Sequence, residues 1–584
     1  MSMLSKIFVT SVNFIAASHA LSYSSPSTKF PNFWNDPISI QSLHDPPSPE
    51  LLSKIQAKPY RGGLEPAFNI PKTTPKIVHG KIPKELKGKL ASNGAGRIRI
   101  RDRQYGHWFD GDGYITLLSI DGVESTVSFQ ASFVPTKRYI KQQKYEDEES
   151  DRKSTYLTFS GPWTMAGNEK WYENLFRLPT NPANTATMWL PPSSDTPSST
   201  AKEQPRLFAL CEGGHPIELH PETLKLVQQE TPLSFNDSKE TASSFFSAHF
   251  SKCSATNHYF NHGYRIRPGP LTNQINVMEL DESGNLIQQK ITDLPFDAFV
   301  HDSTITQNLF LYFVPPYYIP NESIYDTLRG SSPLAKGTIW DENQSSKLYV
   351  HSKHDLKLNW IIELPHQMSL YHIIDAHELE EADDKIKLSI RVCEHISLDR
   401  MMLEQQFADQ YSVEDSRILT KPMEYIYLLH KNDKASSSLL SYNPIAKDAA
   451  FCEYPVVHGD FDPSRKNRYC WTNAASSDTV EWLDGLQKID MEEGTVSDVI
   501  TFGEGSYAGP PAFVPRRNKN GTLVGDQEDD GFIFTTIYRS KEHRSDVAIL
   551  DASSLDVLCL MELEHHVPFQ FHGDYWDEHT ANTF

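Results

Sequence analysis

The chain has 584 residues, a formal net charge of −21 and hydrophobic residues at 38% of its positions, so it is long enough to bury a large core. The acidic balance argues against nonspecific binding to nucleic acid, which needs clustered Lys and Arg to displace counterions from phosphates. Six cysteines without a C-x-x-C pair argue against a disulfide scaffold and against a structural zinc ribbon.

The amino terminus predicts a targeting segment. Residues 1–20 contain one lysine, an apolar stretch and a small-residue end, which is the pattern of a cleavable signal and too short to span a bilayer. Residues 21–60 follow as a transit-like segment and a linker rich in Pro and Ser. This order predicts import into a plastid, and the alternative is a secreted protein. No later segment approaches 18 uninterrupted apolar residues, so no membrane-spanning helix is predicted.

Residues 61–584 are predicted to form a single domain of short strands. Apolar runs of four to seven residues alternate with turn residues, and helical periodicity is nearly absent except around Leu398–Phe407. Two low-complexity stretches, residues 141–153 and 191–204, are predicted to be surface insertions. The sequence therefore indicates an all-β architecture.

A strand–turn–strand unit recurs along this domain. Examples are residues 217–226, 277–287 and 547–557. The first two begin 60 residues apart, which is near the roughly 40 to 50 residues of a propeller blade plus an insertion. The repetition favours a β-propeller.

Four histidines stand in or beside apolar, aromatic runs, and the chain has 23 histidines in all. They are His249, His301, His372 and His572. Taken singly, such a residue is more often a hydrogen-bonded core histidine than a metal ligand. Their separations of 52, 71 and 200 residues would place each on the inner strand of a different blade, facing the central channel. Four neutral nitrogens suit a redox-capable first-row transition metal better than Mg²⁺ or Ca²⁺, which prefer oxygen ligands.

Three glutamates in similar apolar contexts are predicted partners of these histidines. They are Glu212, Glu453 and Glu528. An unpaired buried carboxylate is costly, and a metal-bound histidine usually donates its second ring N–H to an acceptor such as a carboxylate. For Glu528, which begins an acidic run, a solvated acidic turn is the alternative.

Nine motifs in a fixed order from Gly80 to Gly573 resemble those of the carotenoid cleavage oxygenases. The motifs are Gly80–Gly88, His107–Gly113, Glu212–Leu224, Ser247–His249, His301–Thr306, Glu453–Pro455, Phe513–Arg516, Glu528–Gly531 and Phe571–Gly573. This family includes carotenoid and apocarotenoid dioxygenases, stilbene-cleaving enzymes and the animal retinoid isomerase. The resemblance covers nearly the whole domain.

The resemblance implies a seven-bladed β-propeller with a helical and loop cap over a central Fe(II) site. It implies that the iron ligands are His249, His301, His372 and His572, and that Glu212, Glu453 and Glu528 hydrogen-bond to them. His377 is a rival for the third ligand, because Asp375-Ala-His-Glu378 stands where the family has Asn-Ala-x-Glu. Further departures bear on the substrate rather than on the ligands, and they are Gly94–Gly96, Phe250, Ser303 and Pro510-Pro511.

The implied activity is that of an Fe(II)-dependent dioxygenase that cleaves a C=C bond of a carotenoid or apocarotenoid with O2, giving aldehyde or ketone products. A lipid-soluble polyene further predicts an apolar tunnel and peripheral contact with a membrane. Four alternatives remain: a stilbene-like alkene substrate, isomerisation of a retinoid-like substrate, a noncatalytic propeller that binds a partner, and a propeller hydrolase that holds another metal with carboxylate ligands in the channel. A serine hydrolase has little support because the chain has no G-x-S-x-G elbow. The oligomeric state does not follow from the sequence.

Overall fold

Strands are the main regular secondary structure in the computed structural model of the chain. The described residues are 57–101, 103–148, 155–167, 170–192, 204–229, 245–265, 274–295, 298–395, 420–449, 451–459, 466–475 and 482–580, together with Pro49, Ser53 and Ile55. They belong to one compact unit, Ile38–Phe584. The predicted targeting segment, most of the linker, the helix predicted at Leu398–Phe407 and most of the insertion at 191–204 lie outside the described residues.

Seven strands precede the α-helix at Lys137–Glu148. They are β1 (Ile70–Thr73), β2 (Lys76–Gly80), β3 (Lys87–Arg97), β4 (Arg99–Ile100), β5 (Arg103–Gln104), β6 (Asp112–Asp121) and β7 (Thr126–Phe133). The helix α1 (Lys137–Glu148) occupies the first part of the stretch predicted to be an insertion.

Five four-stranded groups follow in chain order. Blade 2 contains β8 (Ala186–Leu190), β9 (Arg206–Leu210), β10 (Ile217–Leu219) and β11 (Leu226–Gln228), and blade 3 contains β12 (Ser251–Lys252), β13 (Tyr259–Tyr264), β14 (Gln274–Leu280) and β15 (Leu286–Asp293). Blade 4 contains β16 (Ser303–Ile305), β17 (Leu309–Val314), β20 (Lys347–Ser352) and β21 (Leu358–Glu363), with β18 (Tyr317–Tyr318), α2 (Asn321–Leu328) and β19 (Ile339–Trp340) inserted between β17 and β20. Blade 5 contains β22 (Ser369–Glu381), β23 (Lys385–His395), β24 (Thr420–His430) and β25 (Ser438–Pro444), and blade 6 contains β26 (Glu453–Val456), β27 (Tyr469–Ala474), β28 (Gly485–Asp490) and β29 (Thr495–Thr501).

The last strands return to the first ones. They are β30 (Ser506–Ala508), β31 (Ala512–Pro515), β32 (Gly531–Arg539), β33 (Arg544–Asp551), β34 (Val557–Glu562) and β35 (Gln570–Asp577). Short 3-10 helices lie at Pro59–Leu64, Trp108–Asp110, Trp171–Asn174, Leu334–Gly337 and Lys434–Ser436. None of the helices in these described ranges is long and apolar enough to span a membrane.

Two sheets close the ring by combining strands from both ends of the chain. Blade 1 has the order β1-β7-β6-β3-β35, and blade 7 has the order β2-β34-β33-β32-β30, with β31 also paired to β32. With the five blades between them they form seven antiparallel sheets, which confirms the prediction of a seven-bladed β-propeller. Close approach at the closure requires glycine, because a Cβ on Gly94 would lie 2.6 Å from the Cα of Gln570.

Position within a blade explains the burial pattern of each strand. The middle strand β17 reads Leu-Phe-Leu-Tyr-Phe-Val and is buried at every residue, since blades cover both of its faces. The outer strand β29 instead alternates between exposed and half-buried residues. Continuous apolar runs therefore mark the middle strands, and alternation marks the outer edge.

Each pair of neighbouring blades shares its own hydrophobic cluster. Leu311 of blade 4 and Ile390 of blade 5, for example, belong to one cluster, and the other neighbouring pairs are joined in the same way. The cluster between blades 5 and 6 differs in containing three cysteines, Cys393, Cys452 and Cys470. The ring is thus held at the interfaces between blades, which leaves the inner strands free to present side chains at the axis.

A buried ion pair adds a polar connection between blades 5 and 6. Arg391 Nε donates to Asp375 Oδ1 at 2.6 Å, and Arg391 Nη2 donates to the other oxygen of the same carboxylate. Asn467, just before β27 of blade 6, donates to Asp375 Oδ2 at 2.9 Å, and its carbonyl accepts from Arg391 Nη1 at 2.7 Å. Burial alone would raise the pKa of Asp375, but Arg391 and His377 lower it well below its usual range.

Replacing Arg391 should destabilise the fold strongly. In Arg391→Met the buried Asp375 charge loses its partner, so we expect the free energy of unfolding to fall by about 3 to 5 kcal/mol. Urea-induced unfolding followed by tryptophan fluorescence measures this change. The matched control is Arg329→Met, which breaks the exposed pair with Asp326 and should change the free energy by less than about 1 kcal/mol. Equal effects of the two variants would contradict the prediction.

Candidate metal centre

The four predicted histidines lie on the inner strands of four different blades or just before them. His249 precedes β12 of blade 3, and His301 precedes β16 of blade 4. His372 lies within β22 of blade 5, and His572 lies within β35 of blade 1. Each is therefore positioned by the strand closest to the propeller axis.

The structure brings the four imidazole rings together at that axis. The ring of His249 has its centroid 4.3 Å from that of His301, 5.3 Å from that of His372 and 4.7 Å from that of His572. His372 Nε2 and His572 Nε2 face each other at 3.1 Å. Ligand atoms of His249, His372 and His572 all lie within 4.8 Å of one another, and those of Glu212, His249 and His301 form a second such set.

His377, the rival for the third position, lies elsewhere. Its Nε2 is 3.0 Å from Asp375 Oδ2, within the buried network of Arg391. The strand β22 has register irregularities between Leu370 and Ile373 and again between Ile373 and Asp375. The structure therefore places His372 in the cluster and His377 in the interface between blades 5 and 6.

Two of the three predicted glutamates contact the cluster. Glu212 Oε1 lies 3.5 Å from His249 Nε2 and 3.3 Å from His301 Nδ1. Glu453 Oε2 accepts from His372 Nδ1, which leaves the Nε2 of that ring free to face the axis. Burial alone would raise the pKa of Glu453, but the rings of His372 and His395 lower it to about 2, so its carboxyl is ionised at neutral pH.

The prediction that Glu528 supports a ligand histidine is wrong. Its two carboxylate oxygens accept from the backbone amides of Arg468 and Tyr469, each at 2.8 Å. These amides stand at the start of β27 of blade 6, so both carboxylate oxygens are engaged by the backbone rather than by a ligand histidine. The alternative of a solvated turn is also wrong, because Glu528 is buried.

The electrostatics favour a neutral ring at two of the four histidines, whereas at His249 burial alone would lower the pKa but Glu212 and Asp302 raise it. Burial and the neighbouring histidines lower the pKa of both His301 and His572 well below the usual range. Their rings are then neutral at physiological pH, which is the form that binds metal. His249 Nε2, His301 Nδ1 and Glu212 Oε1 are buried atoms without a hydrogen-bond partner. Four imidazole donors with such orphaned atoms fit a divalent first-row transition metal and do not fit Mg²⁺ or Ca²⁺.

Three residues at this site were not predicted to have a role there. His395 Nε2 lies 2.9 Å from Glu453 Oε1, on the side of the carboxylate away from His372. Asp302 Oδ2 accepts from the amide of Ile373 at 2.7 Å. This hydrogen bond connects the segment that contains His301 to strand β22. Thr185 Oγ1 donates to Glu212 Oε2 at 3.3 Å. His395 ends an apolar strand, so the rule that selected the other four could have found it, whereas nothing in the sequence distinguishes Thr185.

Aromatic side chains line the approach to the cluster. Phe299 stacks on His301 with ring centroids 5.8 Å apart, and Tyr371 meets the same ring edge to face at 5.0 Å. Phe571 precedes His572 and packs against Trp108 at 4.4 Å and Phe109 at 5.5 Å, and Phe109 also meets Tyr371 edge to face at 6.0 Å. The surroundings of the cluster are apolar and suit a hydrophobic ligand.

Comparisons with known proteins agree with this geometry. Residues 65–577 match the family described as retinal pigment epithelial membrane protein, RPE65. The apocarotenoid-15,15'-oxygenase of Synechocystis is 28% identical over 514 residues, which cover 85% of this chain and 92% of that protein. The carotenoid 9,10(9',10')-cleavage dioxygenase of Crocus sativus is 23% identical over 529 residues, covering 86% and 85%. Other relatives, from Arabidopsis thaliana and rice, are named chloroplastic.

A solved structure shares the fold. The crystal structure of cobalt-substituted Synechocystis ACO superposes with a TM-score of 0.72 and 25% sequence identity, covering 89% of this chain and 98% of that one.

Metal affinity should distinguish the two glutamates that the structure separates. In Glu453→Gln the acceptor of His372 Nδ1–H is weakened, so we expect the affinity for Co²⁺ to fall by about 10- to 100-fold. Glu528→Gln is the control and should leave the affinity unchanged, since its contacts are to backbone amides. Titration calorimetry with Co²⁺ measures both variants. A loss of affinity in Glu528→Gln, with none in Glu453→Gln, would contradict the assignment.

Proposed function

The chain belongs to the RPE65 family, the carotenoid cleavage oxygenases, and we propose that it is an Fe(II)-dependent dioxygenase that cleaves a C=C bond of a carotenoid or apocarotenoid with O2. The observation that carries the proposal is the convergence of four imidazoles on the axis of a propeller, inside an aromatic enclosure. The products are the two carbonyl compounds that such a cleavage yields.

His249, His301, His372 and His572 would hold the iron. When bound, Fe(II) supplies an open coordination position and the electron-transfer chemistry that O2 activation needs. Glu453 fixes the tautomer of His372, since its carboxylate accepts the Nδ1–H and leaves Nε2 as the donor atom. Glu212 places one carboxylate against both His249 and His301. Glu212 and Glu453 together would partly balance the positive charge of a bound iron.

The aromatic residues would bind the polyene and exclude water. Phe299 and Tyr371 border the ring of His301, and a conjugated chain stacks favourably on such side chains. No acidic or basic side chain is needed as a proton donor, because the overall cleavage adds both oxygen atoms of O2 across the double bond without net proton transfer. The role of the protein residues is to position the substrate and to hold the metal ligands.

An exposed apolar patch supports the proposed membrane contact. Phe176 is 75% exposed, and Tyr172, Leu178 and Tyr325 are each more than half exposed. Phe176 adopts a positive φ of 58°, a strained conformation for a bulky residue, while its amide donates to the carbonyl of Leu328 at 2.7 Å. We call these four residues the apolar patch. A bilayer that carries a lipid-soluble substrate is the partner that such a surface fits.

An aromatic path leads from the neighbourhood of this patch to the cluster. Helix α2, which contains Tyr325, connects β18 to β19. Trp340 of β19 lies 6.5 Å from Tyr317 of β18, Tyr317 lies 6.3 Å from Phe299, and Phe299 stacks on His301. The proposed route of the substrate follows this row of rings from the membrane to the metal.

We also propose that the protein acts in a plastid. The predicted signal at residues 1–20 and the transit-like segment after it support this location, as do the plant relatives that are named chloroplastic.

Turnover of the iron-loaded protein tests the proposed activity. With β-carotene and a set of apocarotenals we expect aldehyde or ketone fragments by chromatography, and ¹⁸O2 should label both new carbonyl groups. His572→Ala should lower iron content and turnover by more than about 100-fold. Loss of a residue that only orients a ligand costs up to about 100-fold, and loss of a ligand itself should cost more. His377→Gln is the control and should retain iron.

Two outcomes would overturn this assignment. Purified wild-type protein that does not take up iron stoichiometrically would remove the proposed cofactor. An isomerised product without incorporated oxygen would assign the site to isomerisation instead, and labelled fragments from a stilbene alone would assign it to a different alkene.

Vesicle binding tests the apolar patch. The double variant Phe176→Glu, Leu178→Glu should reduce cosedimentation with phosphatidylcholine vesicles by about tenfold or more, because the loss of two buried apolar side chains costs at least about 1.4 kcal/mol. Turnover of detergent-solubilised substrate should stay unchanged. Val499→Glu, on the outer strand β29, is the control, at a residue about as exposed as Leu178. Unchanged vesicle binding in the double variant would contradict the assignment of the patch.

A further inference from the structure

Two cysteines meet across the interface between blades 5 and 6. Cys393 lies on β23, and Cys452 lies immediately before β26. Their Sγ atoms are 3.0 Å apart, and both side chains are fully buried. Since a disulfide bond measures about 2.05 Å, the two sulfur atoms need to move together by only about 1 Å to be joined.

Hydrogen bonds to the side chain of Thr420, together with strand pairing, hold the two cysteines in this arrangement. The amide of Cys452 donates to Thr420 Oγ1 at 3.1 Å, and that hydroxyl donates to the carbonyl of Cys452 at 2.7 Å. Thr420 begins β24, whose next residues pair with β23, and Pro422 lies directly opposite Cys393. The segment before β26 is thus attached to the same pair of strands that carries Cys393.

The third cysteine of this interface is engaged differently. Cys470 Sγ contacts the carbonyl of its neighbour Trp471 at 3.8 Å. Cys393 and Cys452 are therefore a distinct pair, although all three belong to one apolar cluster.

We propose that Cys393 and Cys452 are an oxidation site at which a small peroxide converts the two thiols into a disulfide between blades 5 and 6. In the first step one sulfur loses two electrons to hydrogen peroxide, giving a sulfenic acid and one water. In the second step the other sulfur attacks the sulfenic sulfur, the S–S bond forms, and a second water leaves with the thiol proton. The sum is two thiols and one peroxide giving one disulfide and two waters.

Burial of the two thiols favours a small oxidant and makes their oxidation slow. Burial and the adjacent Cys452 raise the pKa of Cys393 well above its usual range, so little thiolate is present at neutral pH. Oxidation is accordingly slow, and a bulky disulfide cannot reach the pair. The predicted signal at residues 1–20 would also carry the chain through a compartment where disulfides form.

A disulfide between Cys393 and Cys452 would affect the residues that hold Glu453 in the candidate metal centre. Cys452 is adjacent to Glu453, and Cys393 lies two residues before His395, which contacts the same carboxylate. A disulfide here would tie together the two segments that hold Glu453 against His372. It would also close a loop between residues 59 apart, and a longer loop gives a larger stabilisation by restricting the unfolded chain.

Thiol counting on the full-length protein tests the proposal. Reduced protein is freed of reductant, incubated with hydrogen peroxide, unfolded in the presence of N-ethylmaleimide and analysed by mass spectrometry. Before oxidation we expect adducts on all six cysteines. After oxidation we expect adducts on four, with the peptides containing Cys393 and Cys452 linked, and dithiothreitol should restore six. The midpoint of thermal unfolding should rise on oxidation and return on reduction.

Single variants provide the matched controls. Cys393→Ala and Cys452→Ala should each keep five reactive thiols after the same treatment, whereas Cys470→Ala should still lose two. Six adducts in the oxidised wild type, or a link between Cys452 and Cys470, would overturn the proposal. The measurement requires neither iron nor turnover, so its failure would leave the proposed dioxygenase activity untouched, and failure of that activity would leave this result standing.

Discussion

Closure of the ring is the constraint on which the rest of the structure depends. Strand β35 pairs with β3, and β2 pairs with β34, so strands from opposite ends of the domain complete blades 1 and 7. His572 lies on β35, opposite Asn93 of β3. The fourth imidazole consequently reaches the axis only through this long-range pairing, and Gly94 permits the approach because the backbone of Gln570 occupies the space that a side chain would need.

The interfaces between blades carry both stability and chemistry. Most of them are apolar clusters, which suffice to hold flat sheets side by side. Between blades 5 and 6 the apolar cluster is combined with the ion pair of Asp375 and Arg391 and with two adjoining thiols. That interface also contains Glu453, which orients His372. Support of the candidate metal centre and cohesion of the ring therefore depend on the same set of residues.

The sequence predicted the architecture because each local signal agreed with the global fold. Apolar runs marked the middle strands, and the four histidines stood where inner strands begin. The prediction failed for Glu528, since no local pattern reveals that two backbone amides at the start of β27 face its carboxylate. The choice between His372 and His377 also needed the structure, because irregularities in β22 break the alternation that would otherwise assign each residue to a face. His395 was not predicted, although it stands in the same kind of apolar context as the four selected histidines. It contacts the carboxylate of Glu453 and does not face the axis.

The order of strands along the chain determines when the site can exist. Three of the four histidines belong to blades 3 to 5, whose strands are consecutive in sequence, while the fourth lies on the strand that follows all the others. A nascent or truncated chain that stops before β35 has an open ring and only three of the four imidazoles. Translocation across an organelle envelope in an extended form would likewise separate them. Binding of the proposed metal would thereby be a late event in the life of the molecule, coupled to completion of folding.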